Sequence, residues 1–173
     1  MNSTCMAWDD YVSATSLTAI YPDSEKSTAL EMAYLALGLI GEVGELSRAM
    51  FSDDRNNLLS EIGDCCWYLA RIDHSFLLPK ADSEILNELS PLLNGLETHA
   101  FAVANAAKKC LRDGVSFDKT LSHAALLKAV LVKLVNWIGP DEPNLFERIL
   151  YLNNQKLMDR LEKGTIGGDG DKR

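Results

Sequence analysis

Two stretches decide the fold: LALGLIGEVGEL at Leu35–Leu46 and LLSEIGDCCWYLA at Leu58–Ala70. Each carries two acids three residues apart, Glu42 with Glu45 and Glu61 with Asp64, inside an apolar run. Residues at i and i+3 lie on one face of an α-helix, so the carboxylates of each pair point the same way. Thr28 followed by Glu31 has the form of a capping box. It opens a helix to about Met50 that is apolar on most sides and therefore central. SDDRNN, residues 52–57, is the connection, with Asp53 or Asp54 as cap. A second helix then runs from about Arg55 to Leu77 and stops before Pro79. Two long helices joined this closely form an antiparallel hairpin.

Outward from the hairpin, residues 6–20 are weakly helical and Tyr21–Ser27 is a loop. Asp82 caps a short helix that ends before Pro91. Further helices are expected over Leu92–Arg112, closed by Gly114, over Phe117–Ile138, closed by Gly139-Pro140, and over Asn144–Glu162. No run alternates convincingly enough for a strand. The fold class is all-α, a bundle of antiparallel helical hairpins in a single domain over residues 1–163. The Gly-rich tail 164–173 has no apolar period.

The chain of 173 residues is long enough for one domain with a real core, and its net charge of -8 argues against an extended nucleic-acid surface. Cys5, Cys65, Cys66 and Cys110 have no metal-ligand spacing and read as buried thiols in a reducing compartment. The N-terminus has no signal-peptide pattern. Ala33–Val43 is too short and too charged to span a membrane. A cytoplasmic protein with no membrane partner is expected.

The four acids carry the chemistry. Clustered carboxylates in partly dry surroundings repel one another and lose hydration, and a hard divalent cation relieves both problems. Oxygen-only ligands favour Mg2+, with Mn2+ as substitute, over zinc. An exposed acidic helical face is the plainer explanation of the same spacing. A di-iron bundle is disfavoured, because it uses E-x-x-H pairs and these pairs contain no histidine. Each pair has a glycine before its second acid, where a missing side chain allows close helix contact or admits a ligand.

The motifs EVGE at 42–45 and EIGD at 61–64 resemble the signature of the MazG-like all-α nucleoside triphosphate pyrophosphohydrolases, relatives of the dimeric all-α dUTPases. TAIYP at Thr18–Pro22 and NNQKLMDRLEKGTIGGDGDKR at Asn153–Arg173 agree with that resemblance. It implies Glu42, Glu45, Glu61 and Asp64 as magnesium ligands, with Glu42 or Glu45 also helping to activate the attacking water. It places Asn153, Lys156 and Arg160 near the nucleotide, and the tail over it. The implied reaction converts a nucleoside triphosphate and water to a monophosphate and pyrophosphate, as nucleotide-pool cleansing. A pyrimidine deoxynucleotide is the first candidate, on the dUTPase kinship. A catalytically weak nucleotide-sensing or protein-interaction module is the alternative.

One departure is informative. The basic phrase that relatives carry after the first acid pair appears later, as VANAAKKCLRDG at Val103–Gly114. Gly38–Leu46 also lies over Gly95–Val103 at an offset of 57, and Leu58–Asp64 over Ala125–Leu131. Residues 28–77 and 92–138 thus read as a degenerate tandem repeat whose second copy lacks the acids, with Glu42 matched to His99. Lys108, Lys109 and Arg112 would then supply cations to the substrate's phosphates, their plainer role being a solvated helix end. His99 reads as a core histidine, and Trp67, Tyr68 and Trp137 as core aromatics. A homodimer stays open.

Overall fold

The capping box is half made. Thr28 Oγ1 accepts from the Glu31 N–H at 3.0 Å and starts helix α2, Ala29–Ala49. The Glu31 carboxylate does not return the bond. It is fully buried and accepts from the N–H groups of Glu25 and Ser27, from the Tyr21 hydroxyl and from the Ser75 hydroxyl. Helix α3, Arg55–Phe76, starts on Asp54, whose carboxylate accepts from the Asn57 N–H at 3.0 Å.

A computed structural model describes residues 4–81 and 93–166. Helix α1, Trp8–Ala14, runs into a 3-10 turn, Thr15–Thr18, and is followed by α2 and α3. The later helices are α4, Leu93–Asp113, α5, Asp118–Ile138, and α6, Leu145–Glu162. No strand occurs among the described residues. The expected helix at Asp82–Pro91 and the tail beyond residue 166 lie outside them. Gly114 closes α4 with φ 64° and its N–H on the Cys110 carbonyl, as a glycine after a helix allows.

α2 packs on both α3 and α4, α4 on α5, and α5 more lightly on α3. The four helices thus form a closed ring of neighbours with no close backbone approach across either diagonal. Leu39, Leu46, Ile62, Leu69, Val103 and Leu131 are among its fully buried centre. α1 and α6 lie outside the ring, against each other and against α3.

Two related hairpins would give this neighbour order, and burial also repeats at steps other than those of the sequence alignment. Met32, Leu35, Ala36, Leu39, Val43 and Leu46 are buried in α2. Leu96, His99, Ala100, Val103, Ala107 and Cys110 repeat that pattern in α4 at a constant step of 64 residues, against the 57 of the alignment. Ile62, Cys65, Cys66, Leu69 and Ala70 likewise match Leu127, Val130, Leu131, Leu134 and Val135 at a step of 65. At a step of 64 Glu42 lies over Ala106, where the sequence alignment lays it over His99.

Two expectations are corrected. Trp137 is 68% exposed and is not core, and Cys5 is only half-buried. α5 is the one described helix long and apolar enough to cross a membrane, with mean hydropathy 1.4 over its best window. Its apolar face is instead packed in the ring, where Leu127, Leu131 and Leu134 are fully buried.

The Tyr21 loop is held by buried charge. Arg71 of α3 is fully buried and donates to the Tyr21 hydroxyl, Thr15 Oγ1, Ser16 Oγ and Glu25 Oε1. Trp67 Nε1 donates to Thr18 Oγ1 at 2.9 Å. Replacing Glu31 with Ala would leave four donors without their acceptor. The expected cost is on the order of 3 kcal/mol or more, read as a lower urea midpoint, with Glu31→Gln milder because one acceptor oxygen remains.

Candidate metal centre

Glu42 and Glu45 lie on the later half of α2, and Glu61 and Asp64 on the first half of α3. The helices run antiparallel: Ser75 meets Glu31, and the Tyr68 ring lies over Gly38, where a Cβ would be 2.1 Å from it. That register brings the two acid pairs to one level. One carboxylate oxygen from each of Glu42, Glu45 and Glu61 lies within 4.8 Å of the others, a spacing a single cation can bridge.

The three differ in environment. Glu61 is 5% exposed, Glu42 is half-buried, and the Glu45 side chain is 53% exposed with Arg48 at 3.6 Å. Burial raises the Glu42 carboxyl from 4.5 to about 8, and repulsion from Asp64, Glu45 and Glu61 adds to the shift. Lys156 opposes it. The donor set is all oxygen, crowded, and part-desolvated, which fits a hard divalent cation.

Asp64 stands beside this group and is held from α6. Asn153 Nδ2 donates to its Oδ1 at 2.8 Å, and Lys156 Nζ to its Oδ2 at 2.6 Å and to Ser60 Oγ at 3.1 Å. Asn153 in turn accepts from the Tyr11 hydroxyl at 2.6 Å. Burial holds the Tyr11 phenol well above its usual range, so it remains a donor. Arg160 is one turn beyond Lys156 at i+4 and shares its side of α6. Asn153, Lys156 and the acids expected from sequence are therefore brought together. Tyr11 was not singled out by sequence, where it is one aromatic in a weak helix.

The two motif glycines differ in role. A Cβ on Gly63 would be 2.9 Å from Asn153 Cβ, so this glycine lets α6 approach α3. At Gly44 only Arg48 Nη1 lies near, at 3.9 Å.

Lys108, Lys109 and Arg112 are not brought to the acids. Ser47 Oγ donates to Glu97 Oε1 at 3.3 Å, so the end of α2 lies beside the start of α4. The two helices run antiparallel, so Glu42, five residues before Ser47, stands level with about residue 102 of α4, and the three cations lie roughly 9–15 Å further along, at a rise of about 1.5 Å per residue. All three are exposed, Arg112 is paired with its neighbour Asp113, and the α4 backbone comes close to neither α3 nor α6. His99 is buried as expected. Its Nδ1 lies 3.3 Å from His123 Nδ1, a pairing sequence did not reveal, and its Nε2 makes no hydrogen bond.

An all-α bundle with an acidic cluster between two antiparallel helices is the class these features define. Residues 31–77 match the MazG nucleotide pyrophosphohydrolase domain, and the chain belongs to that family. Gene 37 protein of Mycobacterium phage L5 is 33% identical over 76 residues, which covers 37% of this chain and 67% of that protein. No solved structure matches the chain.

Two outcomes test this geometry. Gly63→Ala should destabilise by roughly 1–3 kcal/mol through overpacking against α6, although alanine favours a helix. Gly44→Ala should instead stabilise by up to about 1 kcal/mol. Chemical denaturation separates the two. Because the Glu42 carboxyl is raised in the fold, its contribution to stability is fully present below about pH 4.5 and is lost as pH rises towards 8. The metal-free Tm should therefore fall over that window, the fall should shrink in Glu42→Gln, and Mg2+ should restore Tm at pH 8.

Proposed function

We propose that this chain is a Mg2+-dependent hydrolase that splits a nucleoside triphosphate between its α and β phosphates, giving a monophosphate and pyrophosphate. The observation that carries the reading is the convergence of Glu42, Glu45 and Glu61 on one point, beside an Asp64 held by Asn153 and Lys156. The family match to residues 31–77 supports the reaction class.

Bound Mg2+ would supply charge neutralisation and Lewis acidity at the phosphates. Glu61, the most buried acid, and Glu42 would hold it from opposite helices, with Glu45 on the open side. Asp64 completes the set from the α6 side. Lys156 and Arg160 would bring positive charge to the triphosphate, which the acids alone repel. A water oxygen forms the new bond to the α phosphorus as the bond to the α–β bridging oxygen breaks. The proton from that water passes to Glu42 or Glu45, and the electron pair leaves on pyrophosphate. A carboxylate raised towards neutral pH by its surroundings suits that proton transfer.

A panel of canonical and modified triphosphates with Mg2+, including pyrimidine deoxynucleotides, tests the reading by chromatography of products. Monophosphate and pyrophosphate are expected, and chelator should abolish both. Orthophosphate with a diphosphate would show another scissile bond. Nucleotide binding without turnover would favour a sensing module. Glu42→Gln, Glu45→Gln, Glu61→Gln and Asp64→Asn should each lose most turnover, by about 100-fold or more if general base or ligand charge is removed, with unchanged circular dichroism.

A further inference from the structure

Tyr11 lies in α1, outside the hairpin that bears the acids, and its side chain is fully buried. Its hydroxyl sits 2.6 Å from Asn153 Oδ1 and 3.5 Å from the Gly63 carbonyl oxygen. Asn153 is 4% exposed and packs where Gly63 has no side chain. An asparagine amide has two faces, an acceptor oxygen and a donor nitrogen. Ionised Asp64 only accepts, so the donor nitrogen must face it, and it does at 2.8 Å. The oxygen is then turned towards α1, where the phenol meets it with a proton.

We propose that Tyr11 is a positioning residue for the acid site, acting through Asn153 to fix the Asp64 carboxylate beside Glu42. The inference rests on the metal-centre reading above. Without the hydroxyl, Asn153 Oδ1 is buried with no donor, and the amide loses the contact that sets its orientation. Asp64 then keeps Lys156 on Oδ2 but loses the Asn153 amide on Oδ1, so its aim towards the neighbouring glutamates loosens. Outer groups that orient metal ligands commonly change affinity by about 10–100-fold when removed.

The test is a double-mutant cycle with Tyr11→Phe, Asn153→Ala and the pair, measuring Mn2+ affinity by electron paramagnetic resonance without nucleotide. Thermal unfolding is recorded in parallel. Tyr11→Phe keeps the ring and its packing, so the fold is retained. It should weaken Mn2+ binding by about 3- to 10-fold, at the low end of such outer-group effects. Asn153→Ala should weaken it at least as much, and the double variant no further than Asn153→Ala alone, because Tyr11 acts only through that amide. Wild-type Mn2+ affinity in Tyr11→Phe with only a lower Tm would make Tyr11 a packing residue and overturn the proposal. So would losses that multiply in the double variant. A wild-type protein that binds no Mn2+ would overturn the metal centre and this inference with it. A wild type that binds Mn2+ but hydrolyses no triphosphate would sink the proposed reaction while leaving the positioning role standing.

Discussion

Four carboxylates confined to one level of one helical hairpin repel each other, and much of the molecule serves to hold them there. Burial first, and then this repulsion, raise the Glu42 carboxyl to about 8. α2 and α3 cannot spread apart to relieve it, because Leu39, Leu46, Ile62 and Leu69 are fully buried between them and the rest of the ring. Relief comes from outside the hairpin. α6 reaches Asp64 with an amide and an ammonium, and Gly63 gives it the space to do so. At the far end of the hairpin, Glu31 and Arg71 tie the Tyr21 loop across both helices through fully satisfied buried hydrogen bonds. That second network fixes the register by which the acid pairs meet, since Glu31 accepts from Ser75 of the other helix.

The elements were readable because their signals are local. Thr28, Asp54 and Gly114 each do at a helix end what their type predicts. The i, i+3 acids were readable for the same reason, since spacing alone decides which face they share. What faces that surface from another helix is a matter of tertiary packing. Nothing in the weak helix of residues 8–14 marks Tyr11 as a partner of Asn153, 142 positions away. Arg71 is a buried cation whose partners lie in the loop and turn before α2, and its neighbours in sequence give no hint of burial. Lys156 was legible only through the resemblance, and the geometry adds its bond to Asp64.

The expected tandem repeat shows how little apolar periodicity says about register. A step of 57 in place of 64 slides α4 by seven residues, close to two full turns, so an apolar face falls on an apolar face either way. Apolar periodicity cannot choose between the two. The error of two residues in the second helix, where the alignment set Leu59 on Leu126, is of another sort. It rotates the helix by about half a turn at roughly 100° per residue, and the observed burial of Leu127, Val130 and Leu131 excludes it.

A step of 64 would also set the α4 cations apart from the acids. At a step of 64, Glu45 corresponds to Lys109, and at 65, Glu61 corresponds to Leu126, which is buried. In a ring built from two related hairpins, equivalent positions lie on opposite sides of the axis between α2 and α4. At that step Lys109 would fall on the counterpart of the acid site, on the far side of the axis. α1 and α6 break the symmetry, because both pack on α3 and supply Tyr11, Asn153 and Lys156 to the first hairpin. A carboxylate at the position of Leu126 would be buried, at a cost of several kcal/mol if left uncompensated. An apolar residue there packs the ring instead, so one hairpin carries the charge and the other carries the core that confines it.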